Sequence, residues 1–260
     1  TDFCTADPRL LAVGFVPLDD FERAAAVAAD AMKLGCKAIR VPGRPARGNS
    51  PSHIAADRVW AMAQEAGIPI VFHIDGKEAM NKAFFSNGLP AIKDFRGGDS
   101  DHSSIGYIQT PNEIMATLTA LIFDGVMDRF PKLKFGVIEQ GASWAPSWLQ
   151  WMDATFEAFS RNEERLRKLS ERPCDIARRQ VRITPFPHEN VSWIIANTGP
   201  KMILFSSDYP HVEGGRNPLR RFEASLQGAS EAAVEGFYTG NFEDLLGAVL
   251  SPLLRRGAAA

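Results

Sequence analysis

The chain has 260 residues, of which 45% are hydrophobic and 23% are charged, and its formal net charge is -2. These values are typical of one large globular domain with a substantial core, and they exclude a strongly basic nucleic-acid-binding surface. No apolar run approaches the roughly 18 residues that span a bilayer, and no signal-peptide pattern opens the chain. The three cysteines, Cys4, Cys36 and Cys174, are scattered and match no zinc motif, so we expect reduced thiols and a cytoplasmic location.

The first half of the chain alternates short apolar runs with segments of helical periodicity. Three strands are predicted there, over residues 10–18, 37–41 and 68–74. Two helices are predicted between them, over residues 20–34 and 54–66, and each is followed by a glycine. The third strand carries His73 close to its carboxyl end. Residues 75–109 are rich in glycine and follow neither pattern, so we interpret this long segment as a lid or rim over a site.

The second half of the chain continues the alternation. Three further strands are predicted, over residues 134–139, 181–184 and 201–207. Four helices are predicted around them, over residues 111–130, 188–196, 218–226 and 230–246, the last with a break near Gly240. The apolar positions from Trp144 to Phe159 recur at helical spacing and indicate mostly core, whereas the charged run at 161–172 is typical of a solvated helix face.

Six strands that alternate with helices indicate a right-handed series of parallel β-α-β units. Such a series forms either an open sheet or most of an eight-stranded barrel, which typically takes about 250 residues. No GxGxxG or GxxxxGK[ST] motif follows the first strand, which argues against dinucleotide-binding and P-loop folds. Because no repeat, low-complexity segment or linker interrupts the chain, we predict a single domain over residues 1–260.

Three of the predicted strands finish in side chains that can bind metal or move protons. These side chains are His73, Glu139 and Asp208. Parallel strands place their carboxyl ends on one rim, so residues far apart in sequence can meet there. Imidazole and carboxylate together suit Zn²⁺ or a similar divalent ion, and a carboxylate beside such an ion can accept or return a proton. The sequence therefore predicts a metal-dependent site at this rim.

Each of these residues also has a structural interpretation that the sequence leaves open. A histidine at a strand end often serves only as a hydrogen-bonded structural residue, and Glu139 can pair with an arginine such as Arg182. Asp208 lies before Pro210, where aspartate commonly caps a turn. His211, just beyond the last strand, is a candidate for contact with a substrate.

A resemblance to a known family strengthens the interpretation of a metal-dependent site. The segments IPIVFHIDG, FPKLKFGVIEQGASWAPSWLQWMD and FSSDYPHVEG, followed by GNFEDLLG, resemble the amidohydrolase-2 branch of the amidohydrolase superfamily. This branch includes aminocarboxymuconate-semialdehyde decarboxylase and its relatives. The similarity runs over nearly the whole chain in the same order, and SDYPH is its most specific motif.

The resemblance implies a distorted TIM (β/α)8 barrel that holds one divalent metal ion, usually zinc. The family's ligands are a His-x-His pair on the first strand, a histidine on the fifth and an aspartate on the eighth. By motif match, His73 corresponds to the fifth-strand ligand and Asp208 to the eighth-strand ligand. The sequence contains no His-x-His, so we expect the first two strands of the barrel and this pair to lie upstream of Thr1. A second departure is Glu139, where the decarboxylases carry a histidine.

We therefore expect a metal-dependent enzyme that acts on a small carboxylated or cyclic substrate by non-oxidative decarboxylation or by hydrolysis. Asp208 would be a metal ligand and proton acceptor, and Glu139 a second acid or base. Trp144, His211 and Phe85 would contact the substrate, and the resemblance implies a homodimer. The alternative is a non-catalytic ligand-binding barrel, or an inactive fragment whose metal shell is incomplete.

Overall fold

The structure is a computed structural model, and it describes residues 2–74, 82–90, 104–211 and 214–255. Five short strands form one parallel sheet within these residues. They are β1 (Val13–Phe15), β2 (Ala38–Arg40), β3 (Ile70–His73), β4 (Phe135–Ile138) and β5 (Val181–Ile183). Each lies inside a segment that the apolar pattern predicts to be a strand.

Helices connect consecutive strands, as expected of β-α-β units. The α-helices before β5 are α1 (Phe21–Lys33), α2 (Asp57–Ala66), α3 (Ser104–Gln109), α4 (Pro111–Phe123), α5 (Val126–Arg129), α6 (Ala145–Phe159), α7 (Glu164–Arg167) and α8 (Pro173–Gln180). Those after β5 are α9 (Val191–Thr198), α10 (Pro218–Ser225), α11 (Glu231–Glu235) and α12 (Asn241–Leu246), with a π-helical turn at Gly236–Gly240. Short 3-10 turns lie at Phe3–Ala6, Ile54–Ala56, Lys82–Phe85, Gly247–Val249 and Pro252–Leu254.

The strands lie side by side in the order in which they occur in the chain, β1 to β5. Residues 202–204 continue this order beyond β5, because Ile183 donates to Met202 O at 2.7 Å and accepts from Leu204 N at 3.1 Å. A parallel sheet whose spatial order follows the sequence is the arrangement of an α/β barrel rather than of a doubly wound sheet, in which the order reverses at a switch point. The described residues form an open arc of such a barrel.

The core fills both faces of this arc. Trp60, Phe72 and Phe135 are at most 1% exposed, and the rings of Phe72 and Phe135 stack at 6.2 Å. Gly136 leaves space on one face of β4, since a Cβ there would lie 3.2 Å from Leu245 Cδ2. Helix α12, which carries Leu245, therefore packs directly on the sheet and covers it.

Some predicted elements are shorter or interrupted in the structure. The predicted strand at 201–207 was too long, because its regular pairing is a single parallel bridge between Ile183 and Ile203. The predicted helix at 111–130 divides at Gly125, whose left-handed backbone (φ 73°) separates α4 from α5. Residues 75–81 and 91–103 of the predicted lid, and the side chain of Phe85, lie outside the described part of the chain. Among the described residues, no helix combines the length and apolar character needed to cross a bilayer.

A buried arginine at the amino end of the sheet is held by α12. Arg182 is 1% exposed and forms an ion pair with Asp244, to which Lys134 Nζ also donates at 3.0 Å. Burial is the largest influence on Asp244 and acts to raise its pKa, but the charges and hydrogen bonds of Arg182 and Lys134 outweigh it. The pKa of Asp244 therefore lies below its ordinary value, and folding is favoured when this carboxyl group is ionised.

Replacing Asp244 with Asn is expected to lower the free energy of unfolding by about 2 kcal/mol at pH 7, because Arg182 is left buried without its anion. Breaking a fully buried pair costs about 3–5 kcal/mol, and we reduce this figure because the Asp244 side chain is 44% exposed. Urea unfolding measures the change, with Asp30→Asn as the control, since its pair with Lys33 is exposed.

The same pair predicts a pH dependence. The contribution of Asp244 to stability is present above the unfolded-state pKa of about 4 and is lost as the pH falls through the lower folded-state pKa. The wild-type protein should therefore lose more stability than Asp244→Asn on acidification below about pH 4. Parallel losses in the two proteins over this range would contradict the assignment.

Candidate functional site

The register of the parallel strands brings their carboxyl ends together. His73, the last residue of β3, pairs with Ile138, the last residue of β4, so Glu139 begins directly beside His73. On the other side, Val137 pairs with Ile183, which places Thr184 next to the same turn. The predicted convergence of His73 and Glu139 on one rim follows from this register.

His73 and Glu139 are in direct contact. His73 Nε2 lies 2.5 Å from Glu139 Oε2, and His73 Nδ1 donates to its neighbouring carbonyl, Ile74 O, at 3.0 Å. The bond to Ile74 fixes the orientation of the ring, so Nε2 is the nitrogen that faces the site. Glu139 therefore pairs with His73 and not with Arg182, whose partner is Asp244.

Asp208 approaches the same place from the loop that follows the last extended segment. Its side chain is 11% exposed, and its Oδ2 is buried with no hydrogen-bond partner among the described residues. A buried carboxylate oxygen without a hydrogen-bond donor is unfavourable, because the cost of removing it from water is not offset by a new hydrogen bond. Such an atom indicates a position made for a further group.

His211 completes the group of donors. Its Nδ1 lies 3.4 Å from Glu139 Oε1 and 3.6 Å from Asp208 Oδ1, and its ring is 55% exposed. One donor atom each from Glu139, Asp208 and His211 falls within 4.8 Å of the other two. His73 is linked to this group through its contact with Glu139.

The two carboxyl groups are driven in opposite directions. Burial, and then the nearby charge of Glu139, raise the pKa of Asp208. Burial also acts to raise the pKa of Glu139, but the hydrogen bond and charge of His73, assisted by His211, outweigh it, so that pKa lies below its ordinary value. The hydrogen bond that His73 donates to Glu139 in turn raises the pKa of His73. Asp208 is thus the carboxyl group that holds a proton more readily.

Both carboxylate residues have left-handed backbone conformations, with φ of 59° at Glu139 and 54° at Asp208. Residues with a Cβ rarely adopt this conformation, which costs of order 1 kcal/mol or more, and it is found disproportionately at functional sites. At Glu139 it ends the strand abruptly and turns the side chain towards β3. The site is therefore built with local strain in the two residues that carry its negative charge.

The donor set fits a divalent cation. Two carboxylates and two imidazoles are ligands that suit Zn²⁺, and carboxylates also suit Mn²⁺. Asp208 Oδ2 has no hydrogen-bond partner among the described residues, and ligand atoms of Asp208 and His211 lie close to the Glu139 carboxylate. A divalent ion would satisfy these groups. Glu139, Asp208 and His211 are the described residues whose ligand atoms lie together, and His73 could join them by exchanging its contact with Glu139 for the ion.

The structure does not test the two other predicted substrate contacts, Trp144 and Phe85. Trp144 Nε1 donates to Gly141 O at 2.8 Å, so the indole belongs to the turn that follows Glu139, and it packs edge-on against Trp148. Its role as a substrate contact stays a prediction. The side chain of Phe85 lies outside the described residues, so its predicted role also stays untested.

Sequence reasoning missed two residues that support the turn after β4. Thr184 is 3% exposed, and its Oγ1 accepts from Glu139 N at 3.1 Å. The Glu189 carboxylate accepts from Ser143 N at 2.7 Å and from Phe186 N at 2.6 Å. Glu139 lies 45 positions from Thr184 in the chain, and Ser143 lies 46 positions from Glu189. No local sequence pattern could therefore have indicated these contacts.

Gly214 is a third supporting residue that the sequence pattern did not reveal. A Cβ at position 214 would lie 2.1 Å from Ser207 O and 3.2 Å from Asp208 Cβ. Only a residue without a side chain permits this approach of two backbone segments. Gly214 thus packs against the loop that presents Asp208.

Comparison with known proteins gives a family match and a set of similar folds. The family model described as amidohydrolase matches residues 1–248. A search of curated proteins finds no match to the chain. An amidohydrolase from Mycobacterium avium subsp. paratuberculosis K-10 is 27% identical, with a TM-score of 0.73 over 90% of this chain and 56% of that protein. The chain thus spans little more than half the length of this relative.

Two more distant structures share the fold. The 5-carboxyvanillate decarboxylase of Novosphingobium aromaticivorans DSM 12444, complexed with manganese and 4-hydroxy-3-methoxy-5-nitrobenzoic acid, is 21% identical, with a TM-score of 0.72 over 94% of this chain and 66% of that one. The 2,6-dihydroxybenzoate decarboxylase from Rhizobium is 18% identical, with a TM-score of 0.71 over 94% and 73% of the two chains. These similarities confirm the predicted barrel-type α/β fold.

The close packing at Gly214 predicts that Gly214→Ala displaces the loop that carries Asp208. Because the added Cβ meets a backbone oxygen that cannot rotate away, we expect Mn²⁺ or Zn²⁺ binding to weaken about tenfold or more. Gly236→Ala is the matched control, since its nearest Cβ contact would be an ordinary 3.4 Å. Isothermal titration with each metal measures the effect, and equal affinities in the two variants would show that the loop does not depend on this packing.

Proposed function

The chain belongs to the amidohydrolase family, and from this premise we propose that it is a divalent-metal-dependent enzyme acting on a small carboxylate. The observation that carries the proposal is the convergence of Glu139, Asp208 and His211, together with a buried oxygen of Asp208 that has no hydrogen-bond partner among the described residues. His73, in contact with Glu139, adds a second imidazole to the group. Acid–base residues that meet at the carboxyl ends of parallel strands are typical of barrel enzymes.

The proposed reaction is non-oxidative decarboxylation, with hydrolysis as the alternative within the same family. Two structures with the same fold are named as decarboxylases of hydroxylated aromatic acids. Decarboxylation breaks a carbon–carbon bond, releases carbon dioxide and requires one proton at the carbon left behind. Hydrolysis instead requires a proton to be taken from water. The site contains carboxyl groups suited to either task.

His73 and Asp208 are the proposed metal ligands, with Glu139 and His211 near enough to contribute. When bound, the ion would supply a Lewis acid that polarises a substrate oxygen. Zinc is the metal we infer from the mixture of imidazole and carboxylate, and manganese, present in structures with a related fold, is the other candidate. Both metals are compatible with the donor atoms on this rim.

The side chains have distinct proposed tasks in the reaction. Asp208, which lies beside Glu139 and His211, is the proposed carrier of the proton to the reacting carbon. Glu139, whose pKa is lowered, stays ionised and keeps His73 oriented through the contact at Oε2. Trp144 and Phe85 would form apolar walls, and the exposed ring of His211 would face the entering substrate.

We extend the proposal to the state of the protein in the cell. The free cysteines Cys36 and Cys174 are buried and unlinked, which suits the reducing cytoplasm. The net charge of -2 favours a small-molecule substrate over nucleic acid. A single domain over residues 1–260 that assembles as a homodimer completes the proposal, and light scattering after size-exclusion chromatography measures the assembly.

Replacing Asp208 with Asn is the direct test. We expect the wild-type protein to hold about one Mn²⁺ or Zn²⁺ per chain and to release carbon dioxide from hydroxylated benzoates. The variant should lose 100-fold or more of this activity and at least about tenfold in metal affinity, because an amide is a weaker ligand and cannot carry the proton. Elemental analysis and a coupled carbon dioxide assay provide the measurements.

Asp19→Asn is the control for this test, because Asp19 is exposed and its contact with Arg47 is long, at 3.5 Å. It should match the wild-type protein in metal content and turnover. A wild-type protein that binds neither metal, or an Asp208→Asn variant with undiminished metal affinity, would refute the ligand assignment. Binding of hydroxybenzoates without turnover would instead favour a ligand-binding barrel.

A further inference from the structure

The turn between β4 and α6 is held by a carboxylate from another part of the chain. Glu189 Oε1 accepts from Ala142 N at 3.0 Å and from Ser143 N at 2.7 Å, and its Oε2 accepts from Phe186 N at 2.6 Å. Hydrogen bonds from backbone amides to an ionised carboxylate are among the strongest in proteins. Glu189 thus joins this turn to the segment that follows β5.

The turn held by Glu189 is the one that presents Glu139. Only Gln140 and Gly141 separate Glu139 from the two amides that Glu189 binds. Gly141 has a left-handed backbone, with φ of 65°, and a Cβ there would lie 3.3 Å from both carboxylate oxygens of Glu189. The glycine allows the carboxylate to approach the turn closely.

Glu139 needs such support because its own backbone is strained, with φ of 59°. A strained conformation persists only where surrounding contacts fix it. Thr184 Oγ1 accepts from the Glu139 amide at 3.1 Å, and Glu189 fixes the turn three and four residues later. Both supports belong to the connection between β5 and α9, so this connection holds Glu139 from two sides.

The same connection also contacts the helix that follows the Asp208 loop. Ser225 Oγ of α10 donates to Glu189 O at 2.9 Å and accepts from Val191 N at 2.7 Å. The side chain of Glu189 therefore reaches the turn with Glu139, while its backbone is tied to the helix that lies beyond Asp208 and Gly214. One residue thus contacts both the turn that follows Glu139 and the helix that comes after the Asp208 loop in the chain.

We propose that Glu189 is a positioning residue, which holds Glu139 in the place where it meets His73, Asp208 and His211. It does not touch the reacting atoms and acts through the backbone of residues 139–143. What that arrangement is used for rests on the proposed metal-dependent function. The positioning itself is a property of the apoprotein.

The test compares Glu189→Gln with Asp128→Asn. Glutamine has the shape of glutamate, but one of its two terminal groups donates and so opposes the amides that the carboxylate binds. Asp128 is a matched control, because it also accepts from a backbone amide, Ser170 N at 2.9 Å, and from Arg179, which precedes β5 at the opposite end of the sheet. Both variants exchange a partly buried carboxylate for an amide.

Two readouts separate positioning from general destabilisation. Amide hydrogen exchange in the metal-free protein should become about tenfold faster or more at Glu139, Ala142 and Ser143 in Glu189→Gln, and should stay unchanged there in Asp128→Asn. Mn²⁺ titration should give a dissociation constant about 10–100-fold higher in Glu189→Gln, with Asp128→Asn equal to the wild-type protein. Urea unfolding of both variants measures their stability.

Unchanged exchange at these amides in folded Glu189→Gln would overturn the proposal, as would the same acceleration in Asp128→Asn. If the wild-type protein binds no Mn²⁺, the proposed metal-dependent function is refuted. The role of Glu189 is then decided by amide hydrogen exchange in the metal-free protein alone. If Glu189→Gln does not fold, Glu189→Asp takes its place. Its carboxylate keeps the charge but withdraws by one methylene, so faster exchange at the same amides supports the proposal and wild-type exchange overturns it.

Discussion

The parallel register between β3 and β4 is the constraint on which the site depends. It pairs His73 with Ile138, so the chain must leave β4 at a point level with the imidazole. A left-handed conformation at Glu139 then turns the carboxylate back towards His73 instead of letting the strand continue. If the pairing slipped by one residue, the side chains of β4 would exchange faces and Glu139 would point away. The apolar residues of these strands are buried and hold the register, so the core determines the geometry of the rim.

The two carboxyl groups of the rim illustrate how one site separates acid from base. Both are mostly buried, yet Glu139 contacts His73 closely, while one oxygen of Asp208 has no donor among the described residues. The contact with an imidazole lowers the pKa of Glu139, and burial beside the charge of Glu139 raises the pKa of Asp208. Environments that drive two pKa values apart are a general way to assign acid and base roles. Glu139, the carboxyl group with the lower pKa, also orients His73.

The sequence predicted the strand ends well because their signal is local. The apolar runs before His73, Glu139 and Asp208 indicated buried strands, and parallel strands bring their carboxyl ends together whatever the separation in sequence. The contribution of 201–207 to the sheet was overestimated, because an apolar run specifies burial but not how many hydrogen bonds the strand makes. Glu189 could not be recognised, because nothing near it in the sequence indicates the amides at Ala142 and Ser143 that it binds.

The sequence left Glu139 with either a chemical role at the rim or a structural pairing with an arginine such as Arg182, and the fold places Glu139 and the Arg182 guanidinium at opposite ends of the sheet. Arg182 lies within β5, one residue before its end, but its guanidinium turns towards α12 and the amino end, where Asp244 and Lys134 meet it. His73 stands at the carboxyl end beside Glu139. The sheet thus keeps two charge clusters apart. The cluster of Arg182, Lys134 and Asp244 holds α12 at the amino end, and the cluster with His73 and Glu139 lies at the carboxyl end. Because the cluster at the amino end stabilises the fold independently, the residues at the carboxyl end can carry backbone strain and charge that serve the site.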